Sequence, residues 1–269
     1  MLKAQSTWPI SVCSWSLQCK TEELISIYSD LESPQAHLAL GDLLDTPEQA
    51  ETIAQTLSIS ATMIGFQQED YSTLETIKIS GGILPDDCWD ANLETIRKAI
   101  ELTKTLNVPF LTFHAGFIDE NDPIALAKMT DRIQIVADIA ADNGIIILLE
   151  TGQESAADLK SFMQQINHAA LGVNFDPANM ILYDKGNPIE AIKLLAPWIK
   201  HIHIKDATKS PIKGEWGAEV PWGEGEIGAD IFIETLKEIA YSGSIAIERE
   251  AGETRIKDIK SAITKLTSI

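Results

Sequence analysis

Short apolar runs typical of β-strands alternate along this chain with longer segments of helical periodicity. The chain has eight such runs, each of the length of one strand, at residues 9–15, 36–40, 60–65, 110–114, 145–150, 171–176, 199–205 and 244–248. The segments between them repeat apolar residues every three to four positions, over residues 22–31, 47–57, 92–106, 123–143, 156–166, 188–195, 229–241 and 256–266. The sequence therefore predicts eight consecutive strand–helix units.

Alternating strands and helices favour parallel strands joined by right-handed crossovers, with helices covering the sheet. Eight units in one chain favour closure of the sheet into an α/β fold of the (β/α)8 barrel type, which needs about 250 residues. The alternative is an open doubly wound sheet, which would normally carry a glycine-rich turn after its first strand. Here the first run leads into Ser14, Trp15, Ser16 and Leu17 instead. We therefore predict a single barrel domain over residues 1–269.

The composition argues against several kinds of partner. The formal net charge is -19, from 21 basic and 40 acidic residues, and the basic residues are scattered, so we expect no nucleic-acid or anionic-membrane binding. No apolar window is long enough to span a bilayer, and the first residues do not resemble a signal peptide. Cys13, Cys19 and Cys88 are too few for a disulfide framework, which predicts reduced thiols and a cytoplasmic location.

Polar residues lie where five of the predicted strands end. Glu150, Asp176 and Glu248 directly follow apolar residues, His203 lies near the end of the seventh strand, and His114 closes the fourth. In a parallel barrel the carboxyl ends of all strands meet at one rim, where active sites are found. Successive strand residues alternate between the barrel interior and the helix layer, and this parity allows all the assigned side chains to point inward. We expect them to lie close together.

Three carboxylates within a few ångströms of one another would repel strongly in a low-dielectric pocket unless a cation lay between them. Three carboxylates and one imidazole form an oxygen-rich set, which favours Mn²⁺ or Mg²⁺, with Co²⁺ or Zn²⁺ as alternatives. The sequence thus predicts one divalent metal held by Glu150, Asp176, His203 and Glu248. The alternative for each acid is a structural role, as the cap of a following helix or as an ion-pair partner.

The remaining interior polar residues are expected to support this site or the fold. Asn174 lies one layer below Asp176 and is placed to hydrogen-bond the metal ligands. His201 shares the parity of the site and is expected to be a satisfied interior histidine. His37 and His168 lack such a context, so we expect ordinary structural or surface positions for both.

Two long connections, residues 65–90 and 206–228, are typical of binding loops or lids. The second carries Trp216 and Trp222, which suggests a cover over a pocket. The alternative is that both tryptophans pack against a neighbouring subunit of a homo-oligomer. The candidate substrate contacts are Trp15, His114, Asn179, Lys205 and Trp222.

These segments resemble the xylose isomerase-like TIM barrel superfamily, in particular its branch of sugar and sugar-phosphate isomerases and epimerases. The matching stretches are LLETGQE (148–154), VNFDPANM (173–180), HIHIKDA (201–207), VPWGEGEIG (220–228) and YSGSIAIERE (241–250). The resemblance implies the same four metal ligands, with Glu150 and Glu248 also acting as the catalytic acid and base. Asn179 stands where some epimerases of the family place a substrate-binding histidine, so the substrate does not follow from the resemblance.

Three functions are compatible with these residues. The first is a metal-dependent sugar isomerase or epimerase that transfers a proton through an enediolate on a ketose or keto-polyol. The second is a lyase with the same site, either a keto-polyol dehydratase or an enzyme that cleaves keto-glycosides. The third is a non-catalytic sugar-binding subunit. The carboxylates of Glu224 and Glu226 oppose a phosphate group on the substrate, whereas Lys205 and Lys209 favour one. We expect a carbohydrate without phosphate.

Overall fold

The computed structural model describes residues 8–33 and 35–269. Its barrel strands are β1 (Ile10–Cys13), β2 (Gln35–Ala39), β3 (Ser58–Met63), β4 (Phe110–Phe113), β5 (Ile146–Glu150), β6 (Leu171–Phe175), β7 (Ile199–Ile204) and β10 (Ile245–Ile247). These strands pair in parallel with their sequence neighbours, and β10 pairs with β1 to close the barrel. The predicted barrel of alternating strands and helices is confirmed.

The helices of the described residues cover the barrel on its outer side. They are α1 (Leu24–Asp30), α2 (Pro47–Thr56), α3 (Leu74–Ser80), α4 (Trp89–Thr105), α5 (Pro123–Asp142), α6 (Ala156–Ile166), α7 (Pro177–Leu182), α8 (Pro188–Leu195), α9 (Ala229–Glu238) and α10 (Arg255–Leu266). Eight of them coincide with the predicted helices. The other two, α3 with seven residues and α7 with six, lie outside the segments of helical periodicity.

The second long connection is an ordered hairpin rather than a structureless loop. Its strands β8 (Asp206–Thr208) and β9 (Ala218–Val220) pair antiparallel. The Asp206 carboxylate accepts backbone N–H bonds from Gly223 and Gly225, both at 3.0 Å, and from Ile227 at 3.3 Å. One buried side chain therefore fixes the path of the chain between the hairpin and α9.

The strands are buried on both faces, as expected where side chains fill the barrel and helices cover its outside. All five residues of β6 are buried, and a continuous apolar core joins the strands to the helices. Within residues 8–33 and 35–269, no helix combines the length and hydropathy needed to cross a bilayer.

A buried arginine holds the segment that leads into α4. The Arg132 guanidinium donates to the carbonyls of Ile83 at 2.6 Å and Leu84 at 2.7 Å, and it also contacts the carboxylate of Asp86. It lies 4.8 Å from the centre of the Trp89 ring. Arg132 is only 9% exposed, so these carbonyls have no ready access to water as a replacement partner.

We expect Arg132→Met to lower the free energy of unfolding by about 2–3 kcal/mol, because it strands buried carbonyls that the arginine now satisfies. The measurement is equilibrium denaturation by urea. Arg97→Met on the exposed face of α4 is the matched control and should change stability by less than about 0.5 kcal/mol. Equal effects of the two substitutions would contradict this role of Arg132.

Candidate metal centre and active-site pocket

Four side chains meet at the carboxyl-terminal rim of the barrel. Glu150 ends β5, Asp176 follows β6, His203 lies on β7 and Glu248 follows β10. Their ligating atoms all lie within 4.8 Å of one another, and all four residues are buried. His203 Nδ1 is 3.4 Å from Glu150 Oε1, 3.6 Å from Asp176 Oδ2 and 3.0 Å from Glu248 Oε2. The structure thus brings together the four residues that strand position and parity single out.

Three atoms of this cluster make no hydrogen bond, namely Asp176 Oδ2, His203 Nδ1 and Glu248 Oε2. Buried polar atoms are nearly always partnered, and each exception costs about 1–3 kcal/mol. Here the three atoms without a hydrogen bond face one another. A divalent cation would satisfy all of them at once, and an oxygen-rich donor set with one imidazole suits such an ion. The cluster therefore fits a divalent metal.

Asp176 combines a structural contact with a free oxygen. Its Oδ1 accepts the backbone N–H groups of Ala178 at 2.8 Å and Asn179 at 3.1 Å, and so caps α7. Its Oδ2 makes no hydrogen bond and faces His203 Nδ1 and Lys205 Nζ, both at 3.6 Å. Helix capping and metal ligation, which are alternatives in the sequence, are therefore compatible in one carboxylate.

Polar residues one layer deeper support the cluster. Asn174 Nδ2 lies 3.4 Å from Glu150 Oε2 and 3.0 Å from His203 Nε2, and Asn174 Oδ1 accepts a bond from His201 Nδ1 at 2.9 Å. His201 Nε2 lies 3.1 Å from Ser60 Oγ, so both of its ring nitrogens are partnered. His201 is thus the satisfied interior histidine that its position predicts.

The expectation for His37 needs correction. The residue lies on β2 inside the barrel, is fully buried, and places Nδ1 3.0 Å from His203 Nε2. Burial, together with His201 and His203, lowers the pKa of His37 well below its usual value. By contrast His168 lies at the periphery, where Nε2 is 3.2 Å from Asp138.

Charges within the cluster compensate one another. Burial works to raise the pKa of Glu150, but His114 and His203 outweigh it and hold that pKa below its usual range. Burial also works to raise the pKa values of Asp176 and Glu248, but nearby groups, chiefly Lys205, hold both below their usual range. Burial would lower the pKa of His203, and the surrounding carboxylates raise it well above its usual value instead. The carboxylates are therefore ionised and available as ligands.

A pocket of about 550 Å³ opens above the cluster. Among the predicted substrate contacts, Trp15, His114, Asn179 and Lys205 line it, as do both glutamates of the cluster. The charged and aromatic lining residues that the sequence did not single out as substrate contacts are Glu69, Tyr71, Tyr183, Trp216, Glu219 and Glu250.

The predicted contacts also orient the two glutamates. Trp15 Nε1 donates to Glu248 Oε1 at 2.6 Å, and Asn179 Nδ2 donates to Glu150 Oε1 at 3.1 Å. Lys205 Nζ lies 3.1 Å from Glu248 Oε2, within ion-pair distance. Each glutamate therefore has one oxygen held by a neutral donor on the pocket wall.

Trp222 does not line the pocket, contrary to our expectation. Its side chain is 6% exposed and packs edge-on against Phe232 of α9, with ring centroids 5.8 Å apart. The turn built on Asp206 directs this part of the connection toward the helix layer. Trp216, at the other end of the loop, occupies the pocket wall and packs edge-on against Tyr183 at 4.7 Å. Its indole Nε1 is buried and makes no hydrogen bond.

The first long connection also contributes to the pocket. Its Glu69 carboxylate accepts the backbone N–H groups of Phe66 at 3.0 Å and Gly82 at 3.1 Å, which folds the loop back and brings Tyr71 to the wall. Loop length alone pointed to a binding loop. Which residues of the loop reach the pocket depends on this local turn. The turn lies outside the strands, so the alternation of strand residues does not predict it.

Comparison with known proteins gives partial matches among curated sequences. The chain is 28% identical to an uncharacterised protein of Methanocaldococcus jannaschii over 172 residues, which cover 59% of this chain and 56% of that protein. It is 24% identical to inosose dehydratase 1 of Bacillus cereus over 139 residues, or 46% of each chain. The chain spans about half the length of these curated relatives.

Solved structures match over nearly the whole chain. A xylose isomerase domain protein from Planctomyces limnophilus superposes with a TM-score of 0.87 at 31% identity, covering 98% of this chain and 96% of that one. A D-tagatose 3-epimerase-like protein reaches 0.74 at 20% identity, with 97% of both chains covered. A Mycobacterium smegmatis barrel protein in complex with magnesium reaches 0.72 at 17%, again with 97% of both covered. The last two likenesses concern the fold alone.

A family model described as xylose isomerase-like TIM barrel matches residues 32–269. This range includes seven of the eight barrel strands and all four residues of the cluster. The chain therefore belongs to the xylose isomerase-like TIM barrel family.

Proposed function

We propose that this protein is a metal-dependent isomerase or epimerase that transfers a proton on a neutral ketose or keto-polyol through an enediolate. The observation that carries the proposal is the placement of Glu150 and Glu248. They stand on β5 and β10, which are separated around the barrel by β6 and β7, and both line the pocket. They therefore approach a ligand in the pocket from different sides.

In this proposal Glu150, Asp176, His203 and Glu248 hold one divalent ion, with Mn²⁺ or Mg²⁺ favoured by the oxygen-rich donor set and Co²⁺ or Zn²⁺ as alternatives. When bound, the ion acts as a Lewis acid that polarises a substrate carbonyl and lowers the energy of the enediolate. The magnesium complex of the Mycobacterium smegmatis neighbour is in keeping with this choice.

The two glutamates act as acid and base. One carboxylate removes the proton from the carbon beside the substrate carbonyl, and the other returns a proton from the opposite face, which inverts that centre. Asn179 holds Glu150 Oε1 and Trp15 holds Glu248 Oε1, so neither carboxylate has to be ordered when the substrate arrives.

The charges of the pocket favour a neutral substrate. Glu69, Glu219 and Glu250 line its walls in addition to the two glutamates of the cluster. Among the described residues, Lys205 is the one lysine or arginine on the wall, and it is paired with Glu250 at 2.9 Å and with Glu248. A phosphate or carboxylate would meet carboxylates without a free cation to bind it, and so be repelled.

A dehydratase is the second candidate, and the match to inosose dehydratase 1 of Bacillus cereus supports it. Its first step is the same removal of a proton beside a carbonyl. The reactions then diverge, since a dehydratase expels a hydroxyl as water whereas an epimerase returns the proton. A third possibility, a non-catalytic sugar-binding subunit, predicts binding without either reaction.

Incubation of the protein with Mn²⁺ and neutral ketohexoses or inososes in D₂O tests the proposal. We expect solvent deuterium to enter the carbon beside the carbonyl, as followed by NMR, without loss of water. Glu150→Gln and Glu248→Gln should each slow this exchange by about 10²–10⁴, because each removes one partner in proton transfer. A chelator should abolish exchange.

The matched control is Glu120→Gln, which changes an exposed glutamate outside the pocket and should leave the exchange rate unchanged. Loss of water from the substrate, with a new conjugated carbonyl in the ultraviolet spectrum, would favour the dehydratase. Binding of the sugar with neither reaction would favour the sugar-binding subunit.

The free indole N–H of Trp216 generates a further prediction. We expect Trp216→Phe to raise KM for the sugar about 5- to 10-fold, because a neutral hydrogen bond to a substrate hydroxyl contributes about 1 kcal/mol. The turnover number should change less than about twofold, since the Trp216 indole donates to neither glutamate. Trp222→Phe, buried against Phe232, is the control and should leave KM unchanged; the reverse pattern would contradict the assignment of the two tryptophans.

A further inference from the structure

We propose that His37 is a positioning residue that fixes the tautomer of His203, so that His203 presents an unprotonated Nδ1 to the metal. This inference rests on the metal site of the proposed function. It concerns a histidine outside the ligand set, on β2, which β1 and β10 separate from the strand of His203.

The contacts of His37 form a chain that ends at His203. His37 Nδ1 lies 3.0 Å from His203 Nε2. His37 Nε2 lies 3.0 Å from Thr112 Oγ1 and 3.4 Å from the carbonyl oxygen of Thr62. Thr112 Oγ1 in turn lies 2.9 Å from the same Thr62 carbonyl. Every group in this chain from Thr62 to His203 is buried.

Donor and acceptor capacity decides where the His37 proton lies. A carbonyl oxygen can only accept, so the hydrogen of the contact between His37 Nε2 and the Thr62 carbonyl lies on Nε2. The Thr112 hydroxyl has Met63 Sδ at 2.8 Å and the Thr62 carbonyl at 2.9 Å as acceptors, and it keeps a lone pair for His37. His37 Nε2 therefore faces two oxygens that accept, and it carries the hydrogen. His37 is fully buried, and its ring contacts the Thr112 hydroxyl, the Thr62 carbonyl, the Cys13 thiol and the His203 ring, none of which is an anion that would stabilise a second proton on it. Its Nδ1 is thus a lone pair.

This lone pair selects one tautomer of His203. An acceptor 3.0 Å from His203 Nε2 requires a hydrogen on Nε2. With the hydrogen held on Nε2, His203 Nδ1, the atom that faces Glu150, Asp176 and Glu248, can give up its own proton and act as a ligand when a metal binds. A nitrogen lone pair among three carboxylates is unfavourable without a metal and favourable when it coordinates one. Metal-bound histidines commonly donate their other ring N–H to an acceptor, which fixes the orientation of the ring.

Asn174 favours the opposite tautomer. Its Nδ2 also lies 3.0 Å from His203 Nε2, and an amide nitrogen can only donate. If Asn174 donated to Nε2, the hydrogen of a neutral His203 would lie on Nδ1 and block coordination. In our proposal His37 therefore determines whether Nδ1 of His203 coordinates the metal or carries a hydrogen.

A separate metal site at Cys13, His37 and His203 is the competing interpretation, because their ligating atoms also lie within 4.8 Å of one another. His37 Nδ1 and His203 Nε2 already partner each other at 3.0 Å, so no ion is needed to satisfy these two buried nitrogens. Cys13 Sγ lies 3.9 Å from His37 Nδ1, where it can donate weakly to the same lone pair. Cys13 thus supports the acceptor role of His37.

The first test measures Mn²⁺ affinity by titration calorimetry in wild type and His37→Phe, which retains an aromatic ring but has no acceptor. We expect affinity to fall about 10- to 100-fold. His37→Gln, whose carbonyl can accept, should bind more tightly than His37→Phe. The control is His168→Gln, a peripheral histidine paired with Asp138, which should bind as wild type.

The second test needs no variant and reads the tautomer directly. In Mg²⁺-loaded wild type with ¹⁵N-labelled histidine, NMR should show hydrogen on Nε2 of His203 and none on Nδ1. Hydrogen on Nδ1 would overturn the inference even if His37→Phe failed to fold. Tight Mn²⁺ binding by wild type and equal binding by folded His37→Phe would refute the role of His37 alone, whereas no binding by wild type would refute the proposed function itself.

Discussion

Mutual repulsion among three buried carboxylates is the constraint around which this barrel rim is arranged. Glu150, Asp176 and Glu248 converge on one nitrogen of His203, and all four residues are buried. Charges at such distances interact far more strongly there than in bulk solvent. The arrangement is stable only with compensating positive charge, and part of it comes from Lys205, which lies 3.1 Å from Glu248 and 3.6 Å from Asp176.

The rim divides the oxygens of Asp176 and Glu248 between two tasks. One oxygen of Asp176 caps α7 and one oxygen of Glu248 accepts from Trp15, while the other oxygen of each makes no hydrogen bond. Glu150 is held through both oxygens, by Asn179 and Asn174. Side chains fixed in this way need not be ordered when a ligand binds, which preserves the free oxygens in a convergent geometry. In our proposal the same free oxygens bind the ion and handle the substrate proton, so the preorganisation serves both tasks.

The fold and the cluster could be predicted because both follow from regular periodicities. Strand–helix alternation predicts the barrel, and inward parity at the strand ends selects Glu150, Asp176, His203 and Glu248. Trp216 and Trp222 lie in a connection without such a period, and the turn around Asp206 decides which one reaches the pocket. His37 was missed for a different reason: its partner lies across the barrel on β7, and closure of the sheet rather than local sequence brings the two rings together.

The most direct test of the central claim is crystallographic. Crystals of the protein soaked in Mn²⁺ should show an anomalous-scattering peak at the manganese edge, at about 2.0–2.4 Å from one atom each of Glu150, Asp176, His203 and Glu248. The nitrogen should be Nδ1 of His203, the atom that makes no hydrogen bond in the present structure. A soaked crystal without a peak among these four side chains, or with the ion held elsewhere, would contradict the account.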